Sequence, residues 1–576
     1  MGDLPESSLF ARARQWVEDD PDPDTARELQ ALIDARNLRE LRERLSRPLT
    51  FGTAGLRGLV GAGPSRMNRA VVVRTTRALA LYLLSHEPDA RTLPVVLGFD
   101  ARLSSRGLAR AAAGVLAAAR IPVRLFADPV PTPLVAYATR ALSGSAGIVI
   151  TASHNPAEYN GYKLYGKNGV QVIPPVDEEI ERRTEHVGPA RTVPSVQPDS
   201  AEWASMVSWV PDSITARYLS DIDASRPRGA AERALRIVYT PLHGVGAALA
   251  MGALAQAGFE DVSVVPEQAE PDGRFPTVRF PNPEEPGALD LALSLAKQRN
   301  ADLVLANDPD ADRLAVCVRS AAGRFIALSG NQIGVLLADF LLESARSVAK
   351  PLVISSIVST PMLADIAEEH GARAEVTLTG FKWIWSAASS LEETSGVRFV
   401  FGFEEAIGFS VCRAVRDKDG ISAALLFAEL AARCRAAGQS VLERLRALYV
   451  KHGLWVSIQH NVVRTGIDGA AEIAGAVDRI AASPPETLGG MTIRAVKDFR
   501  HGEHERPFWL ASAPLVLFEL EGGRALLRPS GTEPKLKIYV DLRGVSPSPG
   551  GFEQAEAALR GKAATVGEEL AALLGF

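Results

Sequence analysis

The sequence places three aspartates at alternate positions, Asp308, Asp310 and Asp312, between the apolar runs 303–306 and 314–318. The flanking runs predict a tight loop, and carboxylates at this spacing can converge on one hard cation such as Mg²⁺. A solvated acidic turn is the alternative, although three acids would then repel one another. An EF-hand is excluded, because Arg313 stands where that loop requires glycine. The pattern therefore favours a magnesium site.

A serine follows another apolar run, at the start of the segment Ser153-His154-Asn155-Pro156. We expect its hydroxyl at the carboxyl edge of a strand, where α/β folds place ligands. A serine hydrolase is excluded, because Ser153 is not in a Gly-x-Ser-x-Gly motif. The adjacent His154 is no evidence for a catalytic triad, since neighbouring side chains on an extended strand point to opposite faces. Capping of a turn remains the structural alternative for Ser153.

Two further segments have residues suited to sugar and phosphate binding. In segment 402–408 the adjacent acids Glu404 and Glu405 point in different directions, so at most one is expected to accept hydrogen bonds from sugar hydroxyls. Segment 528–535 combines Arg528, hydroxyl groups, a glycine and Lys535, which together can form a phosphate cradle. The alternative for segment 402–408 is a purely structural strand end, and the alternative for segment 528–535 is an ordinary β-turn. The glycine-spaced loop 52–58 adds Arg57 but lacks the Gly-Lys-Ser/Thr of a Walker A loop.

The elements that must position these residues follow a recurring order. Three times, at 95–119, 237–257 and 352–369, a short apolar run leads through a turn into an Ala/Leu-rich amphipathic stretch. Strands alternating with helices predict parallel α/β sheets. The first 48 residues read as an amphipathic helical extension packed on the first domain. After residue 449 alternating strands and a closing helix over 553–574 predict a smaller α+β domain.

Composition limits the possible partners and the compartment. The 63 basic and 68 acidic residues of the 576-residue chain give a net charge of −5, which argues against a nucleic-acid surface. Its 3 cysteines fit neither a disulfide framework nor a zinc site. The first ten residues do not resemble a secretory signal, and the most apolar stretches fall short of the ~20 residues of a membrane span. We therefore expect a cytoplasmic protein that binds small molecules, with no nucleic-acid or membrane partner.

With these segments taken together, the chain resembles the α-D-phosphohexomutase superfamily over residues 49–565. It is most similar to the phosphoglucomutase/phosphopentomutase type, which shares Phe-Gly-Thr-Ala-Gly-Leu-Arg-Gly (51–58) and Phe-Glu-Glu-Ala-Ile-Gly (403–408). The resemblance implies an α/β protein with four domains around a central cleft. After the extension (1–48) these are three related α/β domains (49–200, 201–325, 326–448) and a C-terminal TATA-binding-protein-like α+β domain (449–576).

The resemblance also implies roles for individual residues. Ser153 would be the phosphoserine, with Asp308, Asp310 and Asp312 binding one Mg²⁺ together with a phosphoserine oxygen. Lys163 would be a candidate general base, on condition that nearby positive charge lowers its pKa. Arg57 and His154 would surround the reactive phosphate. The substrate-binding residues would be Arg313, Gly380, Lys382, Glu404 and Ala406 near the sugar, and Arg528, Ser530, Gly531 and Thr532 at the distal phosphate.

These roles predict a mutase that interconverts glucose 1-phosphate and glucose 6-phosphate through a phosphoserine and a sugar bisphosphate, which would also serve as activator. A phosphopentomutase acting on ribose or deoxyribose 1-phosphate is the alternative, followed by a phosphomannomutase and a metal-dependent sugar phosphatase. Ala406 is the one departure, because hexose-specific relatives usually place serine there. The expected partners are sugar phosphates, and the expected state is a monomer or weak dimer.

Overall fold

A computed structural model describes residues 5–53, 55–227, 233–464, 469–529, 535–545 and 551–576. The N-terminal extension contains three helices: α1 (Glu6–Asp19), α2 (Pro23–Asp34) and α3 (Leu38–Leu45). Their apolar faces meet in one small core that also includes Ala62 of the first domain. Trp16 packs against the next core of that domain, which confirms the expected docking of the extension. Helices α2 and α3 are separated by a short turn. Asn37 caps α3, because its side chain accepts a hydrogen bond from the Glu40 amide.

The first domain contains a six-stranded mixed sheet in the order β1-β5-β4-β2-β3-β6, with parallel pairing from β4 through β6. Its elements are β1 (Leu56–Leu59), α4 (Arg69–His86), β2 (Val95–Phe99), α5 (Ser105–Ala118), β3 (Val123–Leu125), α6 (Thr132–Ala141), β4 (Ala146–Ile150), β5 (Tyr159–Gly166), α7 (Val176–His186), α8 (Ala201–Met206) and β6 (Val207–Trp209). β2 and β4 are buried at every position, as apolar strands with helices on both faces must be. The pairing of β6 with β3 extends this sheet past residue 200, where the sequence suggested a domain boundary.

The second domain has a five-stranded sheet in the order β11-β10-β9-β7-β8. Its elements are α9 (Ser213–Ala224), β7 (Ile237–Thr240), α10 (Ala247–Gln256), β8 (Val262–Val264), α11 (Asp290–Gln298), β9 (Leu303–Ala306), β10 (Ala315–Arg319) and β11 (Phe325–Ala327). β9 and β10 are antiparallel neighbours, so the acidic segment between them is the tight loop that the sequence predicted.

The third domain has a four-stranded sheet in the order β13-β12-β14-β15. Its elements are α12 (Gly330–Ser344), β12 (Pro351–Ser356), α13 (Met362–Glu369), β13 (Arg373–Thr377), α14 (Phe381–Ser395), β14 (Arg398–Glu404), β15 (Gly408–Ser410), α15 (Gly420–Ala436) and α16 (Val441–His452). Capping boxes begin α12 at Ser329 and α16 at Ser440. One continuous hydrophobic core runs from the first domain through the second into the third.

The fourth domain is a six-stranded antiparallel sheet in the order β16-β21-β20-β19-β18-β17. Its elements are β16 (Leu454–Val463), α17 (Gly469–Ala482), β17 (Thr487–Leu488), β18 (Met491–Asp498), β19 (Val516–Leu520), β20 (Gly523–Pro529), β21 (Lys535–Gly544) and α18 (Phe552–Leu573). Both helices cover one face of the sheet, and the other face packs against Ile357 and Val358 of the third domain. This α+β arrangement agrees with the C-terminal domain that the resemblance implied. In the described ranges, no helix has the length and apolar character needed to cross a membrane.

Candidate active site

Ser153 lies just beyond the carboxyl end of β4, at the strand edge where the sequence placed it. Its backbone has φ +52°, a left-handed conformation that is uncommon for a residue other than glycine. The Thr151 hydroxyl accepts a hydrogen bond from the Ser153 amide at 2.9 Å. The Ser153 hydroxyl donates to Asp308 Oδ2 at 2.6 Å, and His154 Nδ1 lies 3.1 Å from the same Oγ. The turn therefore aims the serine oxygen at the acidic loop of the second domain.

Arg102, which was not among the residues predicted from the sequence, stabilises this turn through hydrogen bonds to its backbone. Its guanidinium group is 1% exposed and pairs with Asp100 at 3.2 Å. The two terminal nitrogens donate to four backbone carbonyls, including those of Ser153 at 2.7 Å and Tyr159 at 2.8 Å. The other two carbonyls belong to Asn155 and Pro156. The turn is thus built around one buried cation.

The acidic loop brings its three aspartates together in the buried interior of the cleft. One oxygen from each of Asp308, Asp310 and Asp312 lies within 4.8 Å of the others. Lys163 Nζ lies 2.6 Å from Asp310 Oδ2 and 2.7 Å from Asp312 Oδ2, and Lys418 Nζ lies 2.5 Å from the same Asp312 oxygen. Two lysines from different domains therefore balance part of the negative charge.

The donor set fits a magnesium ion. Asp310 Oδ1 and Asp312 Oδ1 are buried and have no hydrogen-bond partner among the described residues, so each keeps a free lone pair directed into the protein. Burial and the neighbouring Asp312 and Asp310 carboxylates raise the pKa of Asp308 to about 8. In contrast, and against the effect of burial, Lys163 and Lys418 lower the pKa values of Asp310 and Asp312, so these two carboxylates are held as anions. Hard carboxylate oxygens are the ligands that Mg²⁺ prefers.

Lys163, the candidate general base, lies directly against the acidic loop. Burial favours a lower pKa for Lys163, but the Asp310 and Asp312 carboxylates outweigh it and raise the pKa above its usual range. The ammonium group is therefore held in its charged form as a partner of the two acids. His154 behaves oppositely, because its enclosure together with Arg313 and Arg57 lowers its pKa well below the ordinary value. Its imidazole is neutral beside the serine.

Close backbone packing fixes the acidic loop in place. A Cβ at Gly244 would overlap the backbone of Pro309, and a Cβ at Gly420 would overlap the carbonyl of Arg313. The Gly420 amide donates to the Ala311 carbonyl at 3.1 Å. These approaches explain the glycines, and they place a turn of the second domain and a helix start of the third domain directly against the loop.

Arg57 and Arg313 supply two cations around the serine. Arg57 Nη1 donates to Asn155 Oδ1 at 3.1 Å, while its buried Nε has no partner among the described residues. Arg313 Nε lies 4.0 Å from both Asp308 and Asp312. Burial opposes the charge on Arg313, but the Asp308 and Asp312 carboxylates raise its pKa. Both guanidinium groups therefore have donors left for an anion.

The segment 404–408 lies across the cleft from the serine and is tied to the acidic loop by the hydrogen bond from the Leu314 amide to the Ile407 carbonyl. Glu404 Oε1 accepts a hydrogen bond from the Gly380 amide at 2.6 Å, so the two expected sugar contacts are brought together. Burial and the adjacent Glu405 raise the pKa of Glu404. Glu405 points elsewhere, with Ser356 and Ser359 donating to its carboxylate.

Lys382, in contrast, does not join the expected sugar contacts. Its Nζ lies 3.2 Å from Asp177 of the first domain, and the side chain is buried. The ammonium group that was expected to face the sugar makes this ion pair. Lys382 therefore connects helix α14 to α7 in this structure.

The fourth domain presents its phosphate-binding candidates on neighbouring strands. Arg528 on β20 stands directly opposite Lys537 on β21, so both side chains project from the same face of the sheet. Burial, and next the positive charge of Arg528, lower the pKa of Lys537. Two crowded cations are suited to binding an anion. The predicted contacts Ser530, Gly531 and Thr532 lie outside the described residues.

Sequence profiles of the phosphoglucomutase/phosphomannomutase α/β/α domains I, II and III match residues 48–190, 216–323 and 329–452 in that order. The chain belongs to the phosphoglucomutase/phosphomannomutase family. It is 37% identical to a human phosphopentomutase over 569 residues, which covers 93% of this chain and 92% of the relative. It is 32% identical to a phosphoglucomutase from Staphylococcus aureus (strain N315) over 511 residues, covering 88% and 91%.

Solved structures share the family fold. The exocytosis-sensitive phosphoprotein pp63/parafusin, a phosphoglucomutase from Paramecium, matches with a TM-score of 0.69 at 17% identity, covering 92% of this chain and 96% of that one. A putative phosphomannomutase from Thermus thermophilus matches with a TM-score of 0.67 at 24% identity, covering 92% and 100%. The family is that of isomerases of the phosphotransferase type, generally using Mg²⁺, so the chain is an isomerase of this kind acting on sugar phosphates.

Proposed function

We propose that Ser153, carried as a phosphoserine, donates its phosphoryl group to a sugar hydroxyl and accepts the other phosphate of the resulting bisphosphate in return. The observation that carries this proposal is the 2.6 Å contact between Ser153 Oγ and Asp308, beside two buried carboxylate oxygens without hydrogen-bond partners among the described residues. In the first transfer the bond from phosphorus to Ser153 Oγ breaks, a bond to the sugar oxygen forms, and the hydroxyl proton leaves the sugar. In the second transfer the bond from the other phosphorus to its sugar oxygen breaks, a bond to Ser153 Oγ forms, and that sugar oxygen takes up a proton. Phosphoryl transfer of this kind depends on positioning and charge neutralisation.

The residues around the serine supply that positioning. Asp308, Asp310 and Asp312 would hold one Mg²⁺, which when bound neutralises charge on the transferred phosphate. Arg57 and Arg313 have guanidinium donors free for phosphoryl oxygens, and guanidinium groups bind phosphate well. His154 lies next to Ser153 Oγ and is partly exposed, and Lys163 lies against the acidic loop, so these two groups are our candidates for the proton exchange.

The bisphosphate must then present its second phosphate to the same serine. Glu404, held by the Gly380 amide, has its second carboxylate oxygen available for sugar hydroxyls. Arg528 and Lys537 would bind the phosphate that is not reacting, together with Ser530, Gly531 and Thr532. A cleft with phosphate-binding groups at both ends can hold the bisphosphate intermediate in either orientation.

For the sugar, we propose glucose 1-phosphate and glucose 6-phosphate as one substrate pair and the pentose 1-phosphates as the second candidate. Ala406 favours the second candidate, since its methyl group cannot donate the hydrogen bond that a serine would offer a hexose hydroxyl. The relatives at 36–37% identity named phosphopentomutase also favour it. One such hydrogen bond is worth about 0.5–1.5 kcal/mol, up to roughly tenfold in kcat/KM.

The test of the transfer is Ser153→Ala, with Ser145→Ala at the opposite end of β4 as the matched control. We expect the first variant to lose turnover and the phosphoserine peptide seen by mass spectrometry, and the control to keep both. Near-normal turnover by Ser153→Ala would refute the mechanism. Release of inorganic phosphate at the rate of sugar phosphate consumption would instead identify a phosphatase.

The test of the sugar is the ratio of kcat/KM on glucose 1-phosphate to that on ribose 1-phosphate, with a hexose bisphosphate as activator. We expect Ala406→Ser to raise this ratio severalfold. A ratio unchanged by the substitution would remove Ala406 from the specificity argument without touching the role of Ser153.

A further inference from the structure

A groove on the third domain, away from the serine and the acidic loop, is lined by arginines that the reaction does not use. It is enclosed by Ser389, Glu392, Glu393, Arg398, Arg413 and Arg416, and its cavity is about 570 Å³. Cavities of roughly 300–1,000 Å³ hold small-molecule ligands. The groove lies between the end of helix α14, the start of β14 and the segment 412–416. We define it as the Arg398 groove.

The cations of the Arg398 groove are not balanced by its acids. Arg413 is paired with Glu392, with Nη2 3.0 Å from Oε2. Arg398 and Arg416, by contrast, have no carboxylate within ion-pair distance in the part of the chain that the structure describes. The Ser389 hydroxyl, which lines the same groove, is buried without a hydrogen-bond partner among those residues. The groove therefore has cationic and hydroxyl donors that these residues leave unused.

The arginines in and behind the groove repel one another, so their positive charges are unfavourable when no anion is bound. Burial, and next the proximity of Arg413, lower the pKa of Arg416. Behind the segment, burial and the charges of Arg416 and Arg413 lower the pKa of Arg140 on helix α6. An anion in the groove would relieve this repulsion, and the planar fork of arginine matches a phosphate group. The exposed Glu393 would repel a polyanion but can accept hydrogen bonds from hydroxyl groups.

We propose that the Arg398 groove binds a small phosphate monoester bearing hydroxyl groups, and that this ligand acts on the active site as an effector. The phosphate would lie between Arg398 and Arg416, and hydroxyl groups of the ester would face Glu393 and Ser389. The mixed charge of the groove selects such a molecule over a nucleic acid.

A short, continuous set of contacts joins the groove to the acidic loop. Asp417 follows Arg416 directly and accepts hydrogen bonds from Tyr165 at 2.7 Å and Gln171 at 2.8 Å. The next residue, Lys418, contacts Asp312. Arg416 is therefore two residues from Lys418, whose ammonium group contacts the expected magnesium ligand Asp312.

A second connection runs through the first domain. Arg140 Nη1 donates to the Ala414 carbonyl at 3.0 Å and the Arg413 carbonyl at 3.2 Å. Arg140 lies on helix α6, and Thr132 at the start of that helix donates to Asp310 Oδ2 at 2.6 Å. The backbone of the groove is thus tied to the acidic loop from both sides.

The binding test uses calorimetry of the full-length Ser153→Ala protein with three probes: glucose 1-phosphate, inorganic phosphate and glucose. We expect two glucose 1-phosphate sites per chain, one of which weakens about tenfold or more in Arg398→Gln and again in Arg416→Gln. Arg398 is exposed, so its substitution leaves the fold intact, and exposed Arg299→Gln is the matched control that keeps both sites. A single site in the parent protein, or a second site unaffected by Arg398→Gln, would overturn the proposal. Inorganic phosphate binding as tightly as the ester would overturn the monoester assignment.

The effector test uses the active protein, with whichever of glucose 1-phosphate and ribose 1-phosphate it turns over. We expect its rate curve to depart from a hyperbola in the concentration range where calorimetry fills the second site. Arg398→Gln should restore a hyperbola with the same initial slope, whereas Arg299→Gln should not. A hyperbolic curve for the unsubstituted protein throughout that range would refute the effector role.

Discussion

Replacing Arg102 by lysine keeps the positive charge next to the serine turn but removes the guanidinium geometry that positions Ser153. Lysine keeps a cation for Asp100, but it lacks the rigid fork that reaches four carbonyls of the serine turn at once. Its three donors can satisfy Asp100 and at most two of those carbonyls. The remaining two carbonyls lose their donors inside the protein, and the positive φ of Ser153 loses the main support that holds it.

Hydrogen bonds to a charged group contribute about 1.5–3 kcal/mol each, so two lost contacts cost roughly 3–5 kcal/mol once water recovers part of the loss. At about 2–4 °C per kcal/mol for a domain of this size, Tm should fall by roughly 6–20 °C. A displacement of the serine by about 1 Å should lower kcat up to a hundredfold. KM should change little, because Arg102 lies under the turn and away from the expected sugar contacts.

The assay combines Tm from scanning calorimetry, kcat and KM, and the rate at which Ser153 is phosphorylated by a sugar bisphosphate. Arg110→Lys on the helix that follows Arg102 is the control, because its side chain is exposed and only loosely paired with Asp199. A fall in Tm with unchanged kcat would show that the turn keeps its shape without the fork. A normal Tm and kcat together would refute the reasoning completely.

Three further results are expected. Asp310→Asn removes one carboxylate charge from the acidic loop, so a magnesium titration should show roughly tenfold or greater weakening and loss of most activity. Retained activity after exhaustive EDTA treatment would contradict it. Gly244→Ala pushes a methyl group into Pro309, so kcat should fall while KM for the sugar phosphate stays nearly constant; a rise in KM alone would speak against loop displacement. Arg528→Ala should raise KM roughly ten- to a hundredfold through loss of about 1.5–3 kcal/mol, and unchanged kinetics would remove that strand from the site.

The local sequence pattern was sufficient to predict a site where the reactive residues and the strands that position them lie in one short segment. Asp308, Asp310 and Asp312 alternate between two apolar strands, and the structure brings them together as a tight loop must. Ser153 follows a fully buried strand, so its place at the sheet edge was readable as well. The closing helix was predicted to within one residue at each end, because nothing interrupts its periodicity.

Contacts between residues far apart in the sequence could not be predicted from local pattern. Lys418 comes from over 100 residues beyond the acidic loop, and only its setting in Arg-Asp-Lys-Asp-Gly, charged residues before a buried helix, could have attracted attention. Lys382 was expected in the cleft, but an acid of another domain binds it. In strand β18 a bulge between Ile493 and Ala495 breaks the alternation of apolar and polar residues, which weakens the strand signal in the sequence.

The distribution of contacts between domains bears on how one cleft can process two orientations of a ligand. The first three domains all grip the acidic loop: the Thr132 amide donates to the Asp310 carbonyl at 3.0 Å, the Val245 amide to the Pro309 carbonyl at 2.8 Å, and the Gly420 amide to the Ala311 carbonyl at 3.1 Å. The fourth domain makes a different kind of contact, in which Arg524 donates to the Ser359 carbonyl and apolar side chains cover Ile357 and Val358. The proposed reacting centre is therefore fixed by three domains, whereas the proposed distal phosphate site belongs to a fourth domain that has a core of its own and also packs against the third domain. A rigid centre suits the transfer itself, which depends on close alignment. Placing Arg528 and Lys537 on a domain that makes no such contact with the acidic loop suits a site that must release and rebind either phosphate of the bisphosphate while the centre stays in place.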